Sequence, residues 1–256
     1  MKSIIKKISI IILLSYMGMG AFLYLNQRNF LYFPTPDKGT KYSTMTLQND
    51  GESINVIVLH EGKKNAILYF GGNAESMAGS SDYIAGQFPD FTVYLLDYRG
   101  YGASTGTSTE KALYSDALKL YDSIVSKHKR ISVGGRSLGS GIATYVAAHR
   151  KVSKLALITP YDSIVNVAQD IYPVYPASLL LDDTYDSVNR VKDIKAQTLI
   201  VIAEKDRVIP RKSTDNLIKA FKKKQLKVIV IKNRGHIDIS SDERYYKIMQ
   251  DFIGEG

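Results

Sequence analysis

Gly135-Arg136-Ser137-Leu138-Gly139 is the stretch with the clearest chemical potential in this 256-residue chain. A serine flanked at two positions by glycine follows the apolar run "ISV" and precedes the helical pattern "LGSGIATYVAAH". A strand feeding directly into a helix forces a tight turn, and small flanking residues let the backbone fold back on itself. Such a turn lifts the serine hydroxyl above the sheet edge. The helix N-terminus beneath it supplies a positive field, and the Leu138 amide can face a developing oxyanion.

A serine nucleophile needs a base, and the chain offers four histidines. His60 lies at the end of an early strand. His128 sits among Lys127, Lys129 and Arg130, at the wrong end of the strand that leads to Ser137. His149 is at the far end of the helix that Ser137 begins, about 18 Å away by helical rise. His236, in "IKNRGHIDI", follows the last apolar run and so falls at the carboxyl edge of the sheet, where ligand loops gather in open α/β folds. It is the expected base. The orienting carboxylate should come from "AEKDRVIP" after the preceding strand: Asp206 is the first choice, with Glu204 and Asp238 in reserve. The order Ser137, Asp206, His236 is that of a strand-edge serine triad. A second oxyanion donor is expected from "FGGNAES", where Gly71 and Gly72 permit close backbone approach and the Asn73 amide is the candidate partner of Leu138. Gly135 and Gly139 complete the support. Neither phosphate-binding glycine pattern is present, so a nucleotide cradle is a weak alternative.

The elements that position these residues alternate. "STMTLQN" and "INVIVLHE" around Asn49-Asp50-Gly51 read as a hairpin. Six near-continuous apolar runs, 65–70, 91–98, 130–135, 154–159, 197–203 and 226–231, are separated by helical patterns, which predicts an eight-stranded, mostly parallel sheet covered by helices on both faces. The segment 160–195, with Pro173, Pro176 and Asp182-Asp183, breaks this rhythm and is expected to form an irregular lid or site wall. Tyr161, Tyr172, Tyr175 and Leu179 to Leu181 either wall an acyl site or belong to the core.

The first residues are a separate physical object. Ile8 to Leu25 carries no charge, and a helix of that length rises about 27 Å, enough to cross a hydrocarbon core. Nothing like a small-residue cleavage site follows Ala21, so residues 1–27 are expected to be an uncleaved signal anchor and 28–256 the globular domain. Lys2, Lys6 and Lys7 before the span, against Arg28 after it, place the N-terminus in the cytoplasm and the domain on the far side, the periplasm in a bacterium. The formal net charge of +9 comes partly from these residues. The remainder, densest from Lys219 to Lys227, reads as a solvated face, with a lipid-contacting basic patch as the lesser reading and no nucleic-acid module. The chain has no cysteine, which excludes disulfides, thiolate catalysis and cysteine–zinc sites.

With these residues in place the chain resembles the membrane-anchored Bem46-like branch of the α/β-hydrolase superfamily, near the serine aminopeptidase-like hydrolases. The likeness runs from about Arg28 to Ile253 through "NFLYFPTPDKG", "FGGNAES", "LLDYRGYGASTGTSTEKALYSDA", "GGRSLGSGIA", "TPYDSI", "EKDRVIP" and "RGHIDI". The run Asp97-Tyr98-Arg99-Gly100-Tyr101-Gly102 is its most specific part. Similar proteins commonly carry histidine where this chain has Gly71, so the resemblance carries over backbone donation at the oxyanion loop but not the help of that side chain. The resemblance implies hydrolysis of carboxylic esters, thioesters or lipid-like acyl groups without metal or organic cofactor. Aminopeptidase-like hydrolysis and a non-catalytic membrane scaffold are the alternatives. The sequence carries no reading of oligomeric state.

Overall fold

The computed structural model describes residues 1–255. Hydrophobic runs and helical stripes resolve into α1 (Lys2–Leu31), β1 (Ser43–Asn49), β2 (Glu52–Leu59), β3 (Asn65–Phe70), α2 (Met77–Gln87), β4 (Phe91–Leu96), α3 (Glu110–Ile124), β5 (Arg130–Arg136), α4 (Leu138–His149) and β6 (Lys154–Ile158). They continue with α5 (Ile164–Ile171), α6 (Ala177–Leu180), α7 (Ser187–Arg190), β7 (Gln197–Ala203), α8 (Arg211–Ala220), β8 (Leu226–Ile231) and α9 (Glu243–Gly254).

The eight strands form one sheet in the order β1-β2-β4-β3-β5-β6-β7-β8. β1 pairs antiparallel with β2, and β2 with β4; every later pairing is parallel. The hairpin turns on Asp50 and Gly51, both at positive φ, the conformation that matches strand twist in a two-residue loop. Parallel strands need crossovers, and the crossover helices bury both faces. One core packs Leu113, Leu120, Ile142, Val146 and Leu217 of α3, α4 and α8 on the sheet. The other packs Met77, Ile84, Met249 and Phe252 of α2 and α9 on the opposite face. A parallel sheet aligns its carboxyl ends, so the loops after β3, β5, β7 and β8 emerge on one edge.

Two expectations about organisation change. The segment 160–195 is not irregular throughout, since it contains α5, α6 and α7. The N-terminal helix does not stop at residue 27: it continues to Leu31. The polar residues Asn26 to Asn29 remain helical, and that stretch is tied to segment 160–195. Gln27 accepts from the Asp182 amide at 2.8 Å, and Arg28 pairs with Asp183 at 3.1 Å. The helix is long and apolar enough to cross a membrane, and none of its residues is buried.

Candidate active site

Ser137 stands between β5 and α4 with φ 49° and ψ −117°, a conformation that costs a non-glycine residue of order 1–3 kcal/mol. Its amide is held by the Ile158 carbonyl at 2.9 Å, and its carbonyl receives both the amide and the hydroxyl of Ser140. The two glycines of the pentapeptide have a steric reason. A Cβ on Gly135 would collide with the Gly139 carbonyl, and one on Gly139 would collide with the Phe70 carbonyl. Only glycine lets the turn close and α4 seat against the end of β3.

Across the sheet edge, His236 places Nε2 at 2.8 Å from Ser137 Oγ and Nδ1 at 2.8 Å from Asp206 Oδ2. A carboxylate only accepts, so Nδ1 carries the hydrogen and Nε2 is left to accept from the serine hydroxyl. The His236 and Asp206 side chains are 11% and 10% exposed, which limits competition from water. Asp206 is itself fixed: Oδ1 accepts the amides of Val208 and Ile209, both at 2.9 Å. The reserve carboxylates lie elsewhere. Glu204 accepts from the Asn233 amide, and Asp238 from the Gly235 amide. The other histidines are also engaged locally, His60 with the Ala85 carbonyl, His128 with Tyr94 and the Lys63 carbonyl, and His149 with the Tyr145 carbonyl.

The loop after β3 comes against the serine. A Cβ on Gly72 would stand 3.8 Å from Ser137 Cβ. Within this loop the Gly72 amide donates to Glu75, the Glu75 amide to the Gly72 carbonyl, and the Ala74 amide to Asn73 Oδ1. Leu138 is buried, and its carbonyl accepts from the Tyr161 hydroxyl at 3.1 Å. Tyr161 is therefore core and not an exposed wall.

Several supports were not anticipated. The Asp97–Gly102 run holds the loop after β3: Tyr98 Oη donates to the Gly71 carbonyl at 2.7 Å and Tyr101 Oη to Asn73 Oδ1 at 2.7 Å. Burial pushes the Tyr98 hydroxyl well above its ordinary range, so it stays a donor. Asp97 is buried against Asn55, and burial raises its carboxyl while the Asn55 and Ala103 hydrogen bonds oppose that rise. Gly102 has φ 52°, and a Cβ there would strike the Asp97 carboxyl. The spacing of that run was the available signal, but it does not tell which loop the tyrosines reach. Arg136, the residue before the serine, donates to the carbonyls of His236 at 3.1 Å and Ile237 at 2.9 Å.

Comparison with known proteins agrees with this architecture. Residues 65–180 match the family described as the alpha/beta hydrolase fold. The chain has the α/β-hydrolase fold. It is similar to Bem46 of Schizosaccharomyces pombe, 27% identical over 236 residues, covering 86% of this chain and 75% of that protein. An uncharacterized protein of Mycobacterium tuberculosis strain H37Rv is 27% identical over 240 residues, covering 86% of this chain and 84% of that one. Among solved structures, the Pyrococcus furiosus esterase Pf2001 superposes with TM-score 0.67 at 14% identity, covering 87% of this chain and 98% of the esterase. At that identity the likeness speaks to fold. The sequence is thus similar to Bem46, and the sheet architecture is that of the α/β-hydrolase fold.

Proposed function

We propose that this α/β hydrolase cleaves carboxylic ester or thioester bonds of acyl substrates through a covalent acyl-enzyme on Ser137. The observation that carries the reading is the unbroken chain Ser137 Oγ, His236, Asp206, each contact 2.8 Å, on a serine at positive φ. His236 Nε2 takes the Ser137 proton as Oγ attacks the acyl carbonyl carbon, and Asp206 holds the ring in the required tautomer. The oxyanion that forms is received by the backbone amides of Leu138 and Asn73. In the Gly72–Glu75 loop the other three amides already have partners, which leaves Asn73. Collapse of the tetrahedral species expels the alcohol or thiol, which leaves with the proton from His236. A water then gives its proton to His236 as it attacks the acyl carbon; the second tetrahedral species breaks its bond to Ser137 Oγ, which takes the proton back from His236 as the carboxylic acid leaves.

α1 acts in this reading as a membrane anchor, N-terminus cytoplasmic, with the hydrolase domain on the opposite side. A membrane-presented, lipid-like acyl group suits that placement. The acidic pair that an aminopeptidase could use for a free amine is engaged elsewhere: Asp183 binds Arg28, Tyr32 and the Glu110 amide, and the Asp182 carboxylate lies 3.9 Å from Arg28.

A fluorophosphonate probe tests the chemistry directly. Covalent labelling of the wild type, lost in Ser137→Ala, is the expected outcome. Labelling that persists in Ser137→Ala, or a wild type inert to both probe and nitrophenyl esters, overturns it.

A further inference from the structure

An apolar groove of about 220 Å³ runs between α1 and the α5–α6 segment. Leu23, Phe30 and Leu31 form one wall and Ile164, Val167 and Ala168 the other. Its depth relative to a bilayer follows from α1 itself. The apolar run ends at Asn26, yet the domain grips the helix as far back as Tyr16. The Tyr16 ring stacks on Tyr175 at 4.7 Å, and its hydroxyl donates to the Val174 carbonyl at 2.9 Å. Ten residues of helix span about 15 Å, roughly half of a ~30 Å hydrocarbon core. With α1 across a bilayer, Val174 and Tyr175 lie about one leaflet deep.

The segment is built for that depth. Ile171 to Leu181 contains no charged residue, although Asp170 and Asp182 bracket it. It exposes Ile171, Val174 (68%) and Leu179 (81%), a surface poorly suited to water. Irregular backbone in hydrocarbon requires that its polar groups find partners. Pro173 and Pro176 have no amide hydrogen to satisfy. The Pro173 carbonyl accepts from Gln169 Nε2, the Val174 carbonyl from Tyr16, and the Ala177 amide donates to Gln169 Oε1.

Leu31, which lines the groove, links it to the loop after β3. The carbonyl of Leu31 accepts from Asn73 Nδ2 at 2.8 Å, and Gly72 beside it lies against Ser137. The geometry points to this groove as the acyl subsite of the hydrolase, filled by one fatty acyl chain of a membrane phospholipid entering sideways from the leaflet that holds the Ile171–Leu181 tip. Its volume is below the ~300–1,000 Å³ of sites for whole drug-sized ligands, and suits a single chain rather than a diacyl lipid. The proposal rests on the anchored acyl-hydrolase reading above, but it concerns binding and survives loss of turnover.

The test uses the full chain, as Ser137→Ala, in phosphatidylcholine vesicles carrying a diazirine on one acyl chain. Photolabel is expected on the peptide 164–172 as well as on the lipid-facing residues 8–14. Ala168→Phe, which fills the groove, should cut the 164–172 label about tenfold, the effect of excluding roughly two methylenes, and leave the 8–14 label in place. Ala177→Phe, filling from α6, is the second variant should the first fail to fold. With Ser137 intact, either substitution should lower the ratio of kcat/KM for dodecanoyl over butanoyl nitrophenyl esters by about tenfold. Absence of label on 164–172, or label indifferent to both substitutions, overturns the subsite. If the groove is labelled while the wild type hydrolyses no acyl ester, the hydrolase reading fails and the acyl site stands. If the wild type hydrolyses esters while the groove takes no label, the acyl site fails and the hydrolase reading stands.

Discussion

The guanidinium of Arg136 donates to the carbonyls of His236 and Ile237 at 3.1 and 2.9 Å, so the residue before Ser137 holds the loop that carries its partner histidine. One side chain thereby couples the loops after β5 and β8. Arg136 does not touch Ser137 Oγ or the imidazole, so it is a positioning residue. Arg136→Met removes the donors and keeps the length. We expect kcat for ester hydrolysis to fall about 10- to 100-fold with little change in KM, since a displacement of about 1 Å in a reacting group costs rates of that order. Arg136→Lys should recover part of kcat. A loss confined to KM would show that Arg136 acts on substrate binding instead.

Asp206 and Glu204 are two positions apart, yet only Asp206 reaches His236. Asp206→Asn should lower kcat by about four orders of magnitude by favouring the wrong imidazole tautomer. Glu204→Gln should leave hydrolysis near wild type. Equal losses in both variants would remove the assignment of Asp206 as the orienting carboxylate.

Backbone strain at Ser137 and close packing at Gly139 predict opposite changes in stability. Ser137→Gly removes the proposed nucleophile and relieves the positive φ, so chemical denaturation should show a gain of about 1 kcal/mol. Gly139→Ala pushes a methyl group into the Phe70 and Gly71 carbonyls and should cost about 1–3 kcal/mol. Because it also parts α4 from the loop after β3, probe labelling of Ser137 should slow. A neutral Gly139→Ala would mean that the contact relaxes freely.

Asn73 joins three parts of the fold through its side chain: Nδ2 donates to Leu31, and Oδ1 accepts from Phe33 and Tyr101. Tyr101→Phe removes one of these contacts and Asn73→Ala all of them. Thermal unfolding should show a loss near 1 kcal/mol for Tyr101→Phe and a larger loss for Asn73→Ala. The same order should appear in kcat. Identical values for the two would show that the α1 contacts contribute nothing to the loop.

Downstream of the His236 loop Asp242 caps α9, and the hydrogen bond from Arg244 holds its carboxyl well below the usual carboxylate range. A carboxyl depressed in the folded state contributes stability above its unfolded pKa of about 4 and loses it as the pH falls through the lower folded value. Asp242→Asn keeps a capping oxygen but not the charge. The wild type should therefore unfold at a higher temperature than Asp242→Asn above about pH 4, with the two curves converging in stronger acid. A difference that is constant with pH would assign the effect to capping geometry alone.

Much of the frame could be read from local pattern. The bounds of β3 and β7 match the apolar runs, because parallel strands buried on both faces are continuous stretches of apolar residues; β8 also matches its run, although as the edge strand it is largely exposed. The hairpin was legible in Asn49-Asp50-Gly51 because turn chemistry acts over adjacent residues. Chain order and strand ends also selected Ser137, Asp206 and His236 as candidates, since a parallel sheet sends all its carboxyl ends to one edge.

Other relationships were decided only by the assembled fold. Arg136 meets His236 a hundred residues away because β5 and β8 share an edge, and nothing near either residue encodes that distance. Tyr98 and Tyr101 could be seen as a motif, but their reach to Gly71 and Asn73 depends on β4 lying beside β3. The grip of segment 160–195 on α1 was likewise hidden. An uncharged helix and an uncharged, proline-broken loop each read as separate objects, and only the packing of Tyr16 on Tyr175 turns them into two walls of one groove. Periodicity and turn chemistry are local and therefore written along the chain, whereas the pairing of distant side chains follows from strand order and close packing in three dimensions.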